Sequence, residues 1–339
     1  MAGIEIRPDE RAFFRFSREC GYFLGEQKYL NVCARAVMNP LAANGPVEFL
    51  VAERDGKMVF RAMTGFDRRY QERTGNKWGY FSLFDGLQDA EAGEALLDAI
   101  AEKQILWGNE ALVGPVSPDG SGFFHGLCLG EAPKEAGKSP DKLSRGALTG
   151  PAFPFAREIL LSKGFRRFEE DFAYLLRVPD ENPDRETAEK AAKRFSLKIE
   201  RLKPSLFREN WKKLPASVAP ADTKTDFLRE MERIRPFLNG DYSFACVSGG
   251  ECLGYLLALS EPSAPLRLAT LMTREDRFSS PAALVLLSAA MDACIRNKTE
   301  TVEASVIRCG NAPSRRLAER YEGQKVRRYC RYYKNIKKN

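Results

Sequence analysis

Apolar and polar residues alternate along paired stretches that meet at turn-forming residues, once in each half of the chain. Residues 49–53 and 58–63 flank Asp55-Gly56, and residues 242–247 and 252–259 flank Gly249-Gly250. Each pair predicts a β-hairpin. The same order of elements then follows twice. An apolar strand (79–84; 266–273) precedes an amphipathic helix (90–103; 281–296), a strand (111–116; 302–307), a second helix (155–162; 313–320) and a last strand (168–178; 325–333). The repetition is one of pattern without a fixed period. It predicts an α+β protein of two lobes, each a mixed, mostly antiparallel sheet flanked by helices.

Residues 179–193 break the pattern with two prolines, dense charge and only small apolar side chains, which predicts an interdomain linker with a short exposed helix over 185–194. The resulting division is an N-terminal domain (1–180), a linker (181–195) and a C-terminal domain (196–339). Residues 117–151 are rich in Gly, Pro and Lys. A loop of that length is a binding loop, a lid or a disordered insertion.

Composition narrows the function classes. A chain of 339 residues with 44% hydrophobic and 11% aromatic residues can bury two cores. The apolar run 281–291 is far shorter than the ~20 residues a bilayer span needs. The charged N-terminus has no signal-peptide core behind it, so the expectation is a cytoplasmic protein without a membrane partner. Eight scattered cysteines form no CxxC pair, and the single His125 leaves little room for a Ser-His-Asp or Cys-His site or for a metal centre. The net charge of +7 resides in residues 325–339, which carry seven basic residues and no acidic one. Interleaved with Tyr329, Tyr332 and Tyr333, these could contact phosphates and bases. The aromatic and β-branched content favours instead a terminal strand with a charged solvent face, and no nucleic-acid partner is expected.

Particular residues then point to a family. In the first half they are Asp67-Arg68-Arg69, Gly79-Tyr80-Phe81, Gly114-Pro115 and Lys163-Gly164-Phe165; in the second, Glu303-Ala304-Ser305, Asn311-Ala312-Pro313 and Gly323. With the element order, they make the chain resemble the GNAT superfamily of N-acetyltransferases, in tandem, as in bacterial proteins of two GNAT-like domains. The resemblance implies acyl transfer from acetyl-coenzyme A, or another acyl-coenzyme A, to a small-molecule amine, with no metal. Such a site needs a helix N-terminus for pyrophosphate, a splayed strand pair for the thioester and a base for the ammonium.

Carried onto the second half, the resemblance assigns the coenzyme to Leu271, Met272, Thr273, Arg277, Ser279, Ser280, Ala282 and Asn311, and the base to Glu303. Ser280 stands where the family's phosphate motif has Gly, and Ala318 where many members place an acidic Tyr; Tyr321, three residues on, receives no role. Read without the resemblance, Ser280 is a helix N-cap with Pro281 at the first helical position, and Glu303 is a strand-face carboxylate paired with a cation. The first half opens its helix with Asp89, Glu91 and Glu94, which would repel a pyrophosphate. The alternative is therefore a non-catalytic protein that keeps the fold and binds a small ligand or partner.

Overall fold

The computed structural model describes residues 3–19, 45–116, 126–129, 154–202, 238–260, 265–274 and 276–337. Most of the expected loop 117–151, with His125, and the cysteines Cys20 and Cys33 lie outside the described residues. Two compact units form. The first draws on residues 1–132, 147–172 and 327–339, and the second on 173–326. In chain order the elements are β1 (Ile4–Pro8), α1 (Glu10–Glu19), β2 (Val47–Arg54), β3 (Lys57–Gly65), α2 (Arg68–Thr74), β4 (Trp78–Gly86), α3 (Ala90–Leu106), β5 (Ala111–Gly114), β6 (Leu127–Cys128), α4 (Pro154–Ser162) and β7 (Arg166–Arg177). There follow α5 (Arg185–Phe195), β8 (Lys198–Arg201), β9 (Phe244–Ser248), β10 (Glu251–Leu259), β11 (Leu266–Thr273), α6 (Ser279–Arg296), β12 (Thr301–Arg308), α7 (Ala312–Arg320) and β13 (Gln324–Asn335).

The first unit's strands run β1-β2-β3-β4-β5 and then the end of β13. Its period-2 alternation divides the strands cleanly. Leu50 and Ala52 of β2 and Phe60 and Ala62 of β3 share a core with Leu96, Leu97 and Ile100 of α3 and Ile159 and Leu160 of α4. Arg61 has the opposite phase. It is buried, makes hydrogen bonds of 3.0–3.3 Å to both carboxylate oxygens of buried Asp85, and donates through Nη1 to Phe13 O at 2.9 Å. Its guanidinium lies 4.9 Å from the Phe13 ring centre, so α1 closes over a paired charge.

The last strand differs from the expectation. Residues 325–333 were expected to close the C-terminal lobe, yet Tyr332 pairs with Gly114 and Asn335 with Ala111 in the first unit. Cys330, Tyr332 and Ile336 join the first unit's core, and Tyr329 is buried as well. Tyr333 packs on Trp78, at 5.5 Å between ring centres. The tyrosines that could have stacked on bases are thus structural.

In the second unit the order is β7-β12-β11-β10-β9-β8. Helix α6 buries Val285, Leu286, Ala290 and Ala293 against Leu253, Leu256, Leu266 and Val302. The stretch expected as a linker is docked on this unit. Asn182 Nδ2 donates to Ser288 O and Oγ, Arg185 to Asp292, and the buried Asp184 carboxylate accepts from Arg320 and from the Tyr321 hydroxyl.

Helices α3, α4, α6 and α7 all end in one kind of turn. The N–H groups of the two residues after the cap return to carbonyls three and five residues back: 108 and 109 in α3, 164 and 165 in α4, 298 and 299 in α6, 322 and 323 in α7. The first residue of each pair is left-handed. It is glycine in the first unit (Gly108, Gly164) and Lys298 and Glu322 in the second; α5 closes likewise with Ser196.

Candidate functional site

Both units contain a parallel strand pair that separates after three residue pairs. In the second, β11 and β12 pair as Leu266↔Val302, Arg267↔Glu303 and Leu268↔Ala304, while β11 runs on to Thr273 and β12 to Arg308. A bulge between Leu268 and Thr270, against Leu257 and Ala258 of β10, accompanies the separation. The far half of β11 stays held by β10, with Leu271 opposite Leu256, Met272 opposite Tyr255 and Thr273 opposite Gly254. Its residues 268–273 are half-buried, so the fork is accessible along that arm.

At the end of that arm begins α6. Thr273 Oγ1 and Ser279 Oγ lie 2.9 Å apart, Ser279 N donates to Asp276 O at 3.0 Å, and Phe278 N donates to Asp276 Oδ1 at 2.9 Å. The cap is Phe278, and the helix starts at Ser279. This corrects the expected N-cap Ser280 and first helical Pro281 by two residues and leaves the first turn with no side-chain cap and no acidic residue. Arg277 is exposed, 4.8 Å over the Phe278 ring, and makes no ion pair among the described residues. Arg274 is held by Glu251 at 3.1 Å and Asp276 at 3.0 Å.

The structure thus brings together Leu271, Met272, Thr273, Arg277, Ser279 and Ser280. It places the other three candidates elsewhere. Ala282 is fully buried in the core, its N–H donating to Phe278 O. Asn311 caps α7, accepting from Ser314 N at 3.2 Å. Glu303 belongs to the paired stem below the fork, buried, with Ser305 Oγ donating to its Oε1 at 2.7 Å. Buried Arg267, opposite Glu303 in register, donates to Ser305 O at 3.3 Å. Ser305 stood beside Glu303 among the residues that carry the resemblance, whereas Arg267 escaped the sequence reading; the available signal was an arginine in an otherwise apolar strand. The position expected for an acidic Tyr is buried Ala318, and the neighbouring Tyr321 hydroxyl is committed to Asp184, with burial first and that carboxylate second pushing its ionisation up.

The fit to a coenzyme A pyrophosphate is partial. An uncapped helix start with Arg277 beside it suits an anion. Pro281 contributes no N–H, and the Ser279 and Ala282 N–H groups are engaged within the turn. Phosphate contacts would therefore lean on Ser280, the serine hydroxyls and Arg277.

The first unit's fork is closed. After Trp78↔Ala111, Gly79↔Leu112 and Tyr80↔Val113, Val116 N donates to Phe81 O at 3.0 Å across the opening. Phe81, Leu83 and Phe84 are buried, and Phe81 packs edge-to-face on Phe165 at 5.6 Å. The start of α3 is occupied by its own sequence: Asp89 Oδ1 accepts from Ala92 N at 3.1 Å, and Arg54 binds Asp89 at 2.7 and 3.0 Å and Glu91 at 2.9 Å.

No protein-family model and no curated relative matches the sequence. Solved structures do match the fold. A tandem GNAT protein from the clavulanic acid biosynthesis pathway aligns with 99% of this chain and 100% of its own, at 11% identity and TM-score 0.61. A GCN5-related N-acetyltransferase from Sphaerobacter thermophilus aligns over 99% and 96% at 13% identity, TM-score 0.54. One from Anabaena variabilis aligns over 99% and 73% at 11% identity, TM-score 0.56. The fold is therefore a tandem GNAT fold, α+β throughout. At these identities the likeness is one of architecture. No described helix is long and apolar enough to cross a membrane, and no described cluster of three or more His, Cys, Asp or Glu could hold a metal ion.

Proposed function

We propose that the second unit is an N-acyltransferase site that binds acetyl-coenzyme A, or another acyl-coenzyme A, in the β11–β12 fork and passes the acyl group to a small amine. The supporting observation is the contrast between the forks: one open along a half-buried strand that ends at an uncapped helix start, the other bridged and self-capped. In this reading the backbone of Leu271–Thr273 holds the thioester arm, and Arg277, Ser279 and Ser280 hold the phosphates. Glu303 is the carboxylate for the incoming ammonium.

The second reading, a binding protein without turnover, is favoured by one observation. Glu303 is sequestered beside Arg267 and Ser305, and the Tyr321 hydroxyl is tied to Asp184, so neither base nor acid stands ready at the fork. Calorimetry with acetyl-coenzyme A on the wild type and Arg277→Glu separates the possibilities. Micromolar binding, weakened about tenfold or more by the substitution, supports the site. Absence of heat at millimolar ligand, or indifference to Arg277→Glu, overturns it. With binding in hand, amine-dependent release of free thiol that falls in Glu303→Gln supports the enzyme, and its absence supports the binding protein.

A further inference from the structure

A second cleft in the same unit lies at the opposite end of β12. It is a groove of about 700 Å³, within the range of small-molecule sites. Its walls come from the end of β7 and the residues after it, the start of β12, and the turns that terminate α6 and α7. β12 starts in the groove at Thr301 and parts from β11 beyond Ala304, three residues on, so at ~3.3 Å per residue the fork opens about 10 Å along the strand from the groove.

Five charged side chains line this groove: Arg177, Asp180, Lys298, Glu300 and Glu322. All five are exposed or nearly so, and none makes an ion pair among the described residues. Two of them occupy left-handed backbone, Lys298 at φ 54° and Glu322 at φ 52°. The matching turns of the first unit use Gly108 and Gly164, with open space around each. Glycine is the residue that takes this conformation without steric cost. The second unit instead places a cation and an anion at these two positions, and both face one cleft. Ser196, the other non-glycine residue at such a turn, lies away from it.

We propose that this groove binds a free α-amino acid. The ligand's carboxylate is met by Arg177 and Lys298, and its ammonium by Glu300 and Glu322, with Asp180 at the same wall. Unpaired charges of both signs in one cleft suit a zwitterion. A polyanion would meet three carboxylates there, and a polyamine two cations. The site is independent of the coenzyme reading, because the fork and the groove share no residue named for either role.

Thermal unfolding tests it. The common α-amino acids are added singly at about 5 mM to the wild type, Lys298→Gly and Glu322→Gly, with the N-acetyl amide of any active amino acid as control. Each variant installs the residue the first unit uses at the same turn, so its own melting temperature should not fall. The expected result is that at least one amino acid raises the wild-type melting temperature by about 2 °C or more, while both variants and the blocked derivative show no shift. No shift with any amino acid, a shift that persists in both variants, or an equal shift with the blocked derivative would overturn the proposal.

Discussion

The two forks begin alike and end differently. Each has three parallel residue pairs, a neighbouring bulge and a helix that follows the first strand of the pair. In the first unit the strand beyond the fork is buried, a backbone hydrogen bond spans the opening, and Asp89 occupies the helix start. In the second the corresponding strand is half-buried and the helix start has no side-chain cap. The splayed pair is thus a property of the architecture, and whether it can admit a ligand is decided by a few side chains around it. In the first unit those side chains serve stability: an N-cap satisfies first-turn N–H groups that would otherwise face solvent or an anion. In the second unit no side chain caps the first turn, and the helix is held by its buried face and by Asn182 and Arg185, which hydrogen-bond to Ser288 and Asp292.

The largest expected effect comes from removing the strand that distinguishes the first unit's sheet. Deleting residues 327–339 takes Cys330, Tyr332 and Ile336 from its core and leaves β5 without its antiparallel neighbour. Several buried side chains at ~2–5 kcal/mol each exceed the stability of an ordinary domain, so the first unit should unfold. Hydrogen exchange read peptide by peptide should show protection lost across β4 and β5 while the centre of α6 keeps more of its own. Equal or greater loss in α6 would reverse the assignment of this strand.

That assignment also marks where the sequence stops being legible. The alternation of Cys330 and Tyr332 with Arg331 shows a strand and its buried face, but the face pattern carries no label for the partner strand. The hairpins at Asp55-Gly56 and Gly249-Gly250 were legible because both central residues need positive φ, and they have it. Helix α2 was missed since RRYQERT has no apolar stripe. Asp67, one of the residues that carry the family resemblance, accepts from Tyr70 N at that helix's start. Residues 179–193 read as a linker on their prolines, dense charge and small apolar side chains. Asn182 and Asp184 are instead buried, and their hydrogen bonds to α6 and α7 join residues more than a hundred positions apart. At the candidate site, the charge at the two helix starts was legible. Glu303 and Ser305 were legible as neighbours, but Arg267 beside them was not, because its place depends on the register of β11 and β12.

A smaller effect sharpens the contrast at the helix starts. Asp89→Ala should destabilise the first unit by about 1 kcal/mol, the usual cost of a lost N-cap. The Asp89 carboxyl lies below its ordinary value, chiefly because Arg54 hydrogen-bonds to the ionised form and secondarily through Ala92 N. A depressed carboxyl adds stability that is fully present above its unfolded value near 4 and is lost as pH falls through the lower folded value. Wild type and Asp89→Ala should therefore differ in denaturant midpoint at pH 7 and converge below pH ~3. A difference that stays constant with pH would remove the charge from the account. Ser279→Ala at the other start should show no such pH dependence, since the Ser279 hydroxyl meets the Thr273 hydroxyl and no ionisable group.

The last expectation involves no loss of stability and probes how tightly each unit encloses its thiols. Burial pushes Cys246 up to about 12 and Cys252, Cys294 and Cys330 up to about 11, while Cys309 is exposed at the turn between β12 and α7. At pH 8 the four buried thiols carry almost no thiolate, and the thiolate is the form that alkylates. Peptide mass spectrometry after brief treatment of the native protein with iodoacetamide should find Cys309 modified and those four intact, with all five modified in denaturant. Early labelling of Cys330 would show the closing strand of the first unit opening on that timescale. Early labelling of Cys294 would show the same for α6, so the order in which the two yield ranks the local stability of the closed unit against that of the open one.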